Sequence, residues 1–347
     1  QADEQIVAAS PADRAARVRA FVDAAGGLLA AGFMSTQHTQ IWFANSAGQS
    51  VAGATTQAAM EGVARTPSSD GVGRAAGARL SDVDGTVLGA RAAAKALAAA
   101  DPVELPPGHY EVVLEPGAVG DLLYFLAAYG FNGKVVNERR SFAEVGAAQF
   151  DPSVTLLDDP LHPDVPGLPF DVQGTPRSRF PLVTGGVTGA VTHDRRTAAE
   201  AGTGSTGHAV EGGYGPVAAN LALLPSSGPG AVEVDGPAAD SSVAALVSQV
   251  ERGLLVTDHW YTRVLDPKSL VITGLTRNGV WLVEGGQPTR ALRNFRFTQS
   301  YPQALAPGAV LGVGTHAEPL PGEWPASGFR APALRLASWH FTGGASG

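Results

Sequence analysis

The chain reads as an α+β protein: an N-terminal α/β domain over residues 1–104, then a larger, mainly antiparallel β domain with a few helices over residues 105–347. Three observations carry this. Ahead of Leu105, segments with helical apolar spacing interleave with segments of strict alternation. Beyond it, short apolar runs separated by Gly-, Pro- and Asn-rich turns dominate. The length, 347 residues, exceeds the roughly 250–300 at which a single core stops growing.

Ala15, Val18, Val22, Ala25 and Leu29 recur at helical spacing and predict an amphipathic helix from Pro11 to Leu29. Ser10 stands as its cap and Pro11 in its first turn, where a missing N–H leaves no bond unmade. Gln1 is not a methionine and lies directly ahead of this helix, so sequence upstream is expected to be missing and the first domain truncated at its start. Between His38 and Val63 the pattern alternates, with Ile41, Phe43 and Val51 on one side around the turn Asn45-Ser46-Ala47-Gly48. A β-hairpin and a further strand follow from this, leaving Arg65 to Gly77 as an exposed loop. A second helix is expected from Asp82 to Ala99, burying Val83, Val87, Leu88, Ala94 and Leu97, and stopping at Asp101-Pro102. Leu105-Pro106-Pro107-Gly108 is the linker, because consecutive prolines stiffen a segment that can join neither helix nor sheet.

In the second domain Tyr110 to Leu114 predicts a strand and Ala118 to Tyr129 a helix. Further strands are expected at Val154–Leu157, Phe180–Thr184, Val187–Thr192, Val217–Leu224, Gly253–Thr257, Leu270–Leu275, Val280–Glu284 and Ala291–Phe297. Asn278-Gly279, between Arg277 and Val280, is the strongest hairpin signal, since both residues tolerate the positive φ of a tight turn.

Net charge is −8 with no basic run, which argues against nucleic acid. No apolar stretch is long enough to span a bilayer and no signal peptide is visible, so a cytoplasmic protein without membrane contact is expected. With no cysteine, any site must be built from His, Asp, Glu, Ser, Thr or Lys.

The eight histidines include no pair at zinc-helix spacing, and they read as solvated or locally hydrogen-bonded groups. Asp158-Asp159 offers a carboxylate pair, but adjacent strand residues face opposite ways and Pro160 follows, so a turn capping its own backbone is the stronger reading. Thr257-Asp258-His259-Trp260-Tyr261 gathers an acid, an imidazole and two aromatics at the end of an apolar strand, as a pocket wall, a subunit contact or a catalytic dyad. Gly204-Ser205-Thr206-Gly207-His208 is glycine-rich but lacks the strand-to-helix context of a phosphate cradle.

Read in order, several segments resemble the TldD/PmbA family, whose paralogous members pair as TldD and TldE. They are Ser141-Phe142-Ala143, Val154-Thr155-Leu156-Leu157-Asp158-Asp159-Pro160, Pro169-Phe170-Asp171-Val172-Gln173-Gly174-Thr175-Pro176, Val183-Thr184-Gly185-Gly186-Val187-Thr188-Gly189, Asp194-Arg195-Arg196-Thr197-Ala198, Thr206-Gly207-His208-Ala209, Asn220, Gly253-Leu254-Leu255-Val256-Thr257, and the run from Thr273 to Gly286. The likeness is nearest to actinobacterial TldE-like proteins.

The catalytic TldD-type member carries His-Glu-x-x-x-His on the first helix of this domain and a cysteine farther on. Here the matching stretch is Pro116-Gly117-Ala118-Val119-Gly120-Asp121, so Pro116, Gly117 and Asp121 stand at degenerate zinc-motif positions. Val172-Gln173 also replaces the usual Asp-Glu. The resemblance implies a non-catalytic TldE-like subunit, without a cofactor of its own, that pairs with a zinc-bearing TldD-like subunit in a heterodimer. The substrate is then an unstructured peptide or small amide in a shared chamber, with His208, Asp258, His259, Trp260 and Tyr261 as candidates for its wall. Alternatives are an independent ligand-binding or scaffold protein with the same fold, a subunit of an N-deacetylase complex in natural-product metabolism, or a new site around Asp258, His259 and Tyr261.

Overall fold

The computed structural model describes residues 2–226 and 238–344. Asp3 caps a short helix α1 (Glu4–Ala8), and Ser10 and Asp13 close a reciprocal capping box on α2 (Pro11–Ala24). α2 stops short of the predicted Leu29 because Gly26 and Gly27 take left-handed φ values directly after it. Its buried side is also rolled from the predicted one: Phe21 and Ala25 are buried, whereas Ala15, Val22 and Leu29 are exposed. Phe21 is the largest apolar group on the helix, and its ring fills the space over Gly62 that any side chain there would occupy.

β1 (Leu29–Ala44) and β2 (Ser50–Arg65) form the expected hairpin, longer than predicted, and the Asn45 side chain accepts from the Ala47 and Gln49 N–H groups to hold its turn. The loop expected from Arg65 to Gly77 is a third strand for most of its length, β3 (Asp70–Gly77), antiparallel to β2. Its glycines and alanines hide it from hydropathy, and the packing explains them. α3 (Gly85–Ala98), capped by Asp84, lies so close that a Cβ at Gly73 would collide with the Leu88 carbonyl and one at Gly71 with that of Ala92. The same closeness corrects the predicted face of α3. Leu88 and the small residues Gly85, Gly89, Ala92, Ala93 and Ala96 are buried, while Val87, Ala94 and Leu97 point outward.

The larger sheet starts at β4 (Gly108–Leu114), which leads into α4 (Pro116–Phe125); a single π-type turn, Leu126–Gly130, extends that helix. Then come α5 (Gly133–Asn137), β5 (Leu156–Asp158), β6 (Phe180–Thr184), β7 (Val187–Thr188), α6 (Arg195–Ala201), β8 (Leu221–Leu223) and α7 (Ala238–Val247). The strands β9 (Arg252–Asp266), β10 (Val271–Glu284), β11 (Gln287–Ala291), β12 (Phe295–Ser300), β13 (Val310–Pro321) and β14 (Gly328–Gly344) complete it, with the short helix α8 (Tyr301–Ala304) between β12 and β13. Among the described residues the order is β11-β10-β9-β4-β14-β8-β5-β6-β7, with β12 joining β10 to β14 and β13 along β14. Most pairs are antiparallel; β4 with β9 and β14 with β8 are parallel.

The hairpin predicted at Asn278-Gly279 is absent, because β10 runs straight through it. Asn278 (φ 60°) and Gly279 (φ 125°) sit as a bulge between the pairs Arg277–Asp258 and Val280–Val256. The dipeptide marked positive φ correctly, but the long neighbour β9 supplies partners on both sides of it, so the chain kinks and continues. α4 packs against β14 and β9, and the core beneath it includes the fully buried Trp339, Tyr301, Phe297 and Phe341. Among the described residues no helix is long and apolar enough to cross a membrane.

Gly73→Ala is expected to destabilise the protein by roughly 1–3 kcal/mol by forcing α3 off its strand. Urea titration would check this; an unchanged midpoint would mean that α3 does not bear on Gly73.

Candidate functional site

Gly117 and Asp121 are four residues apart on α4 and so share one face, with Pro116 buried at the first helical position. A Cβ on Gly117 would stand 2.8 Å from Arg74 Nη1, 3.2 Å from the Thr257 carbonyl oxygen and 3.5 Å from Asp258 Oδ1. The space beside Gly117 therefore belongs to a guanidinium from β3. Arg74 donates to Glu61 through Nε at 2.6 Å and to Asp258 Oδ2 through Nη2 at 2.8 Å. Burial alone would lower the Arg74 pKa, but Asp258 and then Glu61 more than reverse this, so it stays a cation. The β10 bulge completes the arrangement: Asn278 Nδ2 donates to Asp258 Oδ2 at 3.1 Å.

One turn farther along α4, Asp121 accepts from the Tyr301 hydroxyl at 2.5 Å and from Thr262 Oγ1 at 2.8 Å. Burial, and then the Asp121 carboxylate, push the Tyr301 pKa well up, which keeps that hydroxyl a donor. His259 lies behind, its side chain fully buried between Phe297 and Trp339, with ring centroids 4.4 and 5.2 Å away. Its Nδ1 is 3.7 Å from Asp121 Oδ2, and neither ring nitrogen has a hydrogen-bond partner.

In front of these residues lies an open cleft of about 480 Å³, walled by Glu61, Arg74, Asp121, Tyr124, Tyr129 and Glu323 among others. Trp260 and Tyr261 are exposed, with Arg277 and Arg263 over their rings at 4.4 and 4.3 Å. Among the described residues no three His, Asp or Glu side chains are gathered closely enough to hold a metal ion. Asp121 with His259 is a pair of possible donors, one short of the usual catalytic zinc set. The donor set on this face does not fit zinc.

Residues 107–343 match the model of the PmbA/TldA metallopeptidase C-terminal domain. The chain belongs to that family. Solved structures share its fold, among them the following three. TldE from Thermococcus kodakarensis superposes with a TM-score of 0.82 at 18% identity, over 99% of this chain and 77% of that one. A candidate modulator of DNA gyrase from Thermotoga maritima gives 0.80 at 19%, over 96% and 75%. A second, from Bacteroides thetaiotaomicron, gives 0.79 at 17%, over 99% and 74%. No curated protein matches the sequence.

In this PmbA/TldA-family chain the motif positions Gly117 and Asp121 and the strand residues Asp258 and His259 are brought together, although they are far apart in sequence. Arg74, Glu61, Thr262 and Tyr301 belong to the same cluster, and no motif in the sequence marks them. Arg74 lay in what read as a loop, and Tyr301 in a tail without motifs. His208 is placed elsewhere, in a buried polar knot. Its Nε2 lies 3.2 Å from Asp158 Oδ2, which also receives Arg177 Nη2 at 2.9 Å, while the Asn220 N–H donates to Asp158 Oδ1 at 2.7 Å. Asp159 faces Arg179 at 3.1 Å and accepts from the Leu161 N–H, so it makes the self-capping turn expected of the pair, while Asp158 does not.

Burial would raise the Asp158 pKa, but Arg177 first and then His208 and Asn220 hold it down at about 2. A carboxyl lowered by folding stabilises the protein above its unfolded value, and that contribution is lost as pH falls through the folded value. For Asp158 it amounts to about 2 kcal/mol, fading between about pH 4 and pH 2. Asp158→Asn leaves Arg177 buried without its counter-charge and is expected to cost roughly 3–5 kcal/mol near neutrality. It should also flatten the acid limb of stability against pH. A variant that keeps that limb would assign it to other carboxylates.

Proposed function

We propose that the chain is a non-catalytic, TldE-like subunit of a heterodimeric zinc metallopeptidase or amidase. In that assembly a TldD-like partner carries the zinc, and this chain shapes the chamber that admits an unstructured peptide or small amide. The observation that carries the reading is what occupies the α4 face. Where the family's catalytic motif would set a glutamate, Gly117 is covered by the Arg74 guanidinium, itself held between Asp258 and Glu61. At the second histidine position Asp121 is engaged by two hydroxyls. Proline at the first histidine position has no donor atom on its side chain.

The Arg74 guanidinium fills the space where the motif's glutamate would project and uses Glu61 and Asp258 as its partners, so no free base for an attacking water stands at this position. The role left to the face is binding and shaping, and the open cleft in front of it suits that role. The likeness in fold to Thermococcus kodakarensis TldE accords with the family on which this reading rests. A cytoplasmic location accords with the reading.

The purified chain is expected to retain no stoichiometric zinc by elemental analysis and to cleave neither an unstructured casein peptide nor an N-acetyl amide. Co-expression with a paralogue bearing His-Glu-x-x-x-His should restore both zinc and hydrolysis in a co-purifying complex. One zinc per isolated chain, or hydrolysis by it alone, would sink the proposal. Placing His, Glu and His at positions 116, 117 and 121 should still give no zinc binding, because Arg74 remains where the glutamate would project.

A further inference from the structure

Asp121, on α4, is a carboxylate at the cleft with no Arg or Lys partner among the described residues. Arg74 is taken by Glu61 and Asp258, and among the described residues no Arg or Lys pairs with Asp121, which is held by the Tyr301 and Thr262 hydroxyls. Its side chain keeps 17% of its surface open, toward the cleft. Such an anion, held by neutral donors and left facing a cavity, attracts a cation more strongly than a surface carboxylate does, because the surrounding walls screen it less.

The walls select the kind of cation. Tyr124, Phe125 and Tyr129 follow Asp121 along α4 and its π-type turn, and Phe329 and Leu320 close the far side. Tyr124 is fixed by stacking on Trp324 at 5.5 Å and 17°, and Phe125 by an edge contact with Tyr301 at 5.9 Å. Glu323 adds a second negative charge to a lining that also holds Arg74, engaged by Glu61 and Asp258, and Arg263, which lies over the Tyr261 ring; burial first, and then Tyr129 and Glu323, raise the Tyr124 pKa. Aromatic faces beside a carboxylate favour an ammonium ion joined to an apolar body. Behind Asp121 the fully buried His259 turns Nδ1 toward it, and both ring nitrogens lack partners. Among the described residues no hydrogen-bond partner meets this imidazole, which adds no cation to compete at Asp121 unless it is protonated.

We propose that the cleft over α4 binds a primary ammonium group carried next to an apolar or aromatic side chain, with Asp121 as counter-ion and Tyr124 and Tyr129 as the aromatic wall. A free peptide N-terminus and a lysine side chain both present this chemistry. The proposal rests on the chamber reading only in taking the bound amine to be part of a substrate. Binding by this chain alone does not depend on any partner.

Isothermal titration of the purified chain with Phe-Ala amide, its N-acetyl form, and Nα-acetyl-lysine amide tests it. Phe-Ala amide is expected to bind at least 10-fold more tightly than its acetylated form. Comparable binding of the lysine derivative would support the site and assign it to side chains, and weaker binding would support it and assign it to N-termini. Asp121→Asn keeps the side chain's shape and should lower affinity by about 10-fold. Glu323→Gln, at the exposed mouth, should lower it about 2- to 3-fold and serves should the first variant fail to fold. Equal binding of the acetylated peptide, no binding of either amine, or unchanged affinity in both folded variants would overturn the proposal. Benzoate binding instead would do so too, by showing that Arg74 governs the cleft. If the isolated chain binds the amine but no zinc partner exists, the heterodimer reading fails and this one stands. If the complex is active and the amine does not bind, the reverse holds.

Discussion

The ion triad of Arg74 with Glu61 and Asp258 is the constraint around which the cleft is arranged, because it ties the small three-stranded sheet to the centre of the large one. Arg74 is on β3, Glu61 on β2 and Asp258 on β9. A guanidinium taken out of water is tolerated only if its charge is matched and its donors are used, and two carboxylates do both. The β10 bulge follows from the same need, since the left-handed Asn278 brings its amide to Asp258. Gly117 follows as well, for any side chain there would press on the guanidinium. One largely buried cation thus fits a bulge, a helix glycine and one of the links between the two sheets.

Small residues play the corresponding part in the first hundred residues. β3 and α3 approach closely enough that glycine and alanine line the contact, and Phe21 fills the gap over Gly62. Close approach gains dispersion contacts and removes backbone from water, but it leaves no apolar side chains to signal burial in the sequence. Of the larger apolar residues of α3, Leu88 alone packs inward, while Val87 and Leu97 turn outward.

Two polar clusters built from the same residue types do different work. The side chains of Asp158, Arg177, His208 and Asn220 are buried with the Asp158 charge met by Arg177, which suits a structural knot. Asp121, His259, Thr262 and Tyr301 sit at the edge of a cavity, with a carboxylate that lacks a counter-charge and an imidazole that lacks partners. Polar groups left unmatched at a cavity are where binding energy remains available.

The sequence alone determined the α+β class, the capped start of α2, the hairpin turn at Asn45, the helix from Ala118 to Tyr129 to within a few residues though not its π-type last turn, and the family. These rest on local chemistry, on capping side chains, turn residues and ordered short motifs, which act over a few positions. Tertiary structure decided which faces are buried, that residues 70–77 form a strand, and that Asn278-Gly279 bends a continuous strand rather than ending one. It also decided that Gly117, Asp121, Asp258 and His259 meet Arg74, Glu61, Thr262 and Tyr301 at one cleft. Each of these depends on which distant segment supplies the partner, and strand pairing and charge matching between residues 61, 74, 121, 258 and 301 leave no periodic trace along the chain.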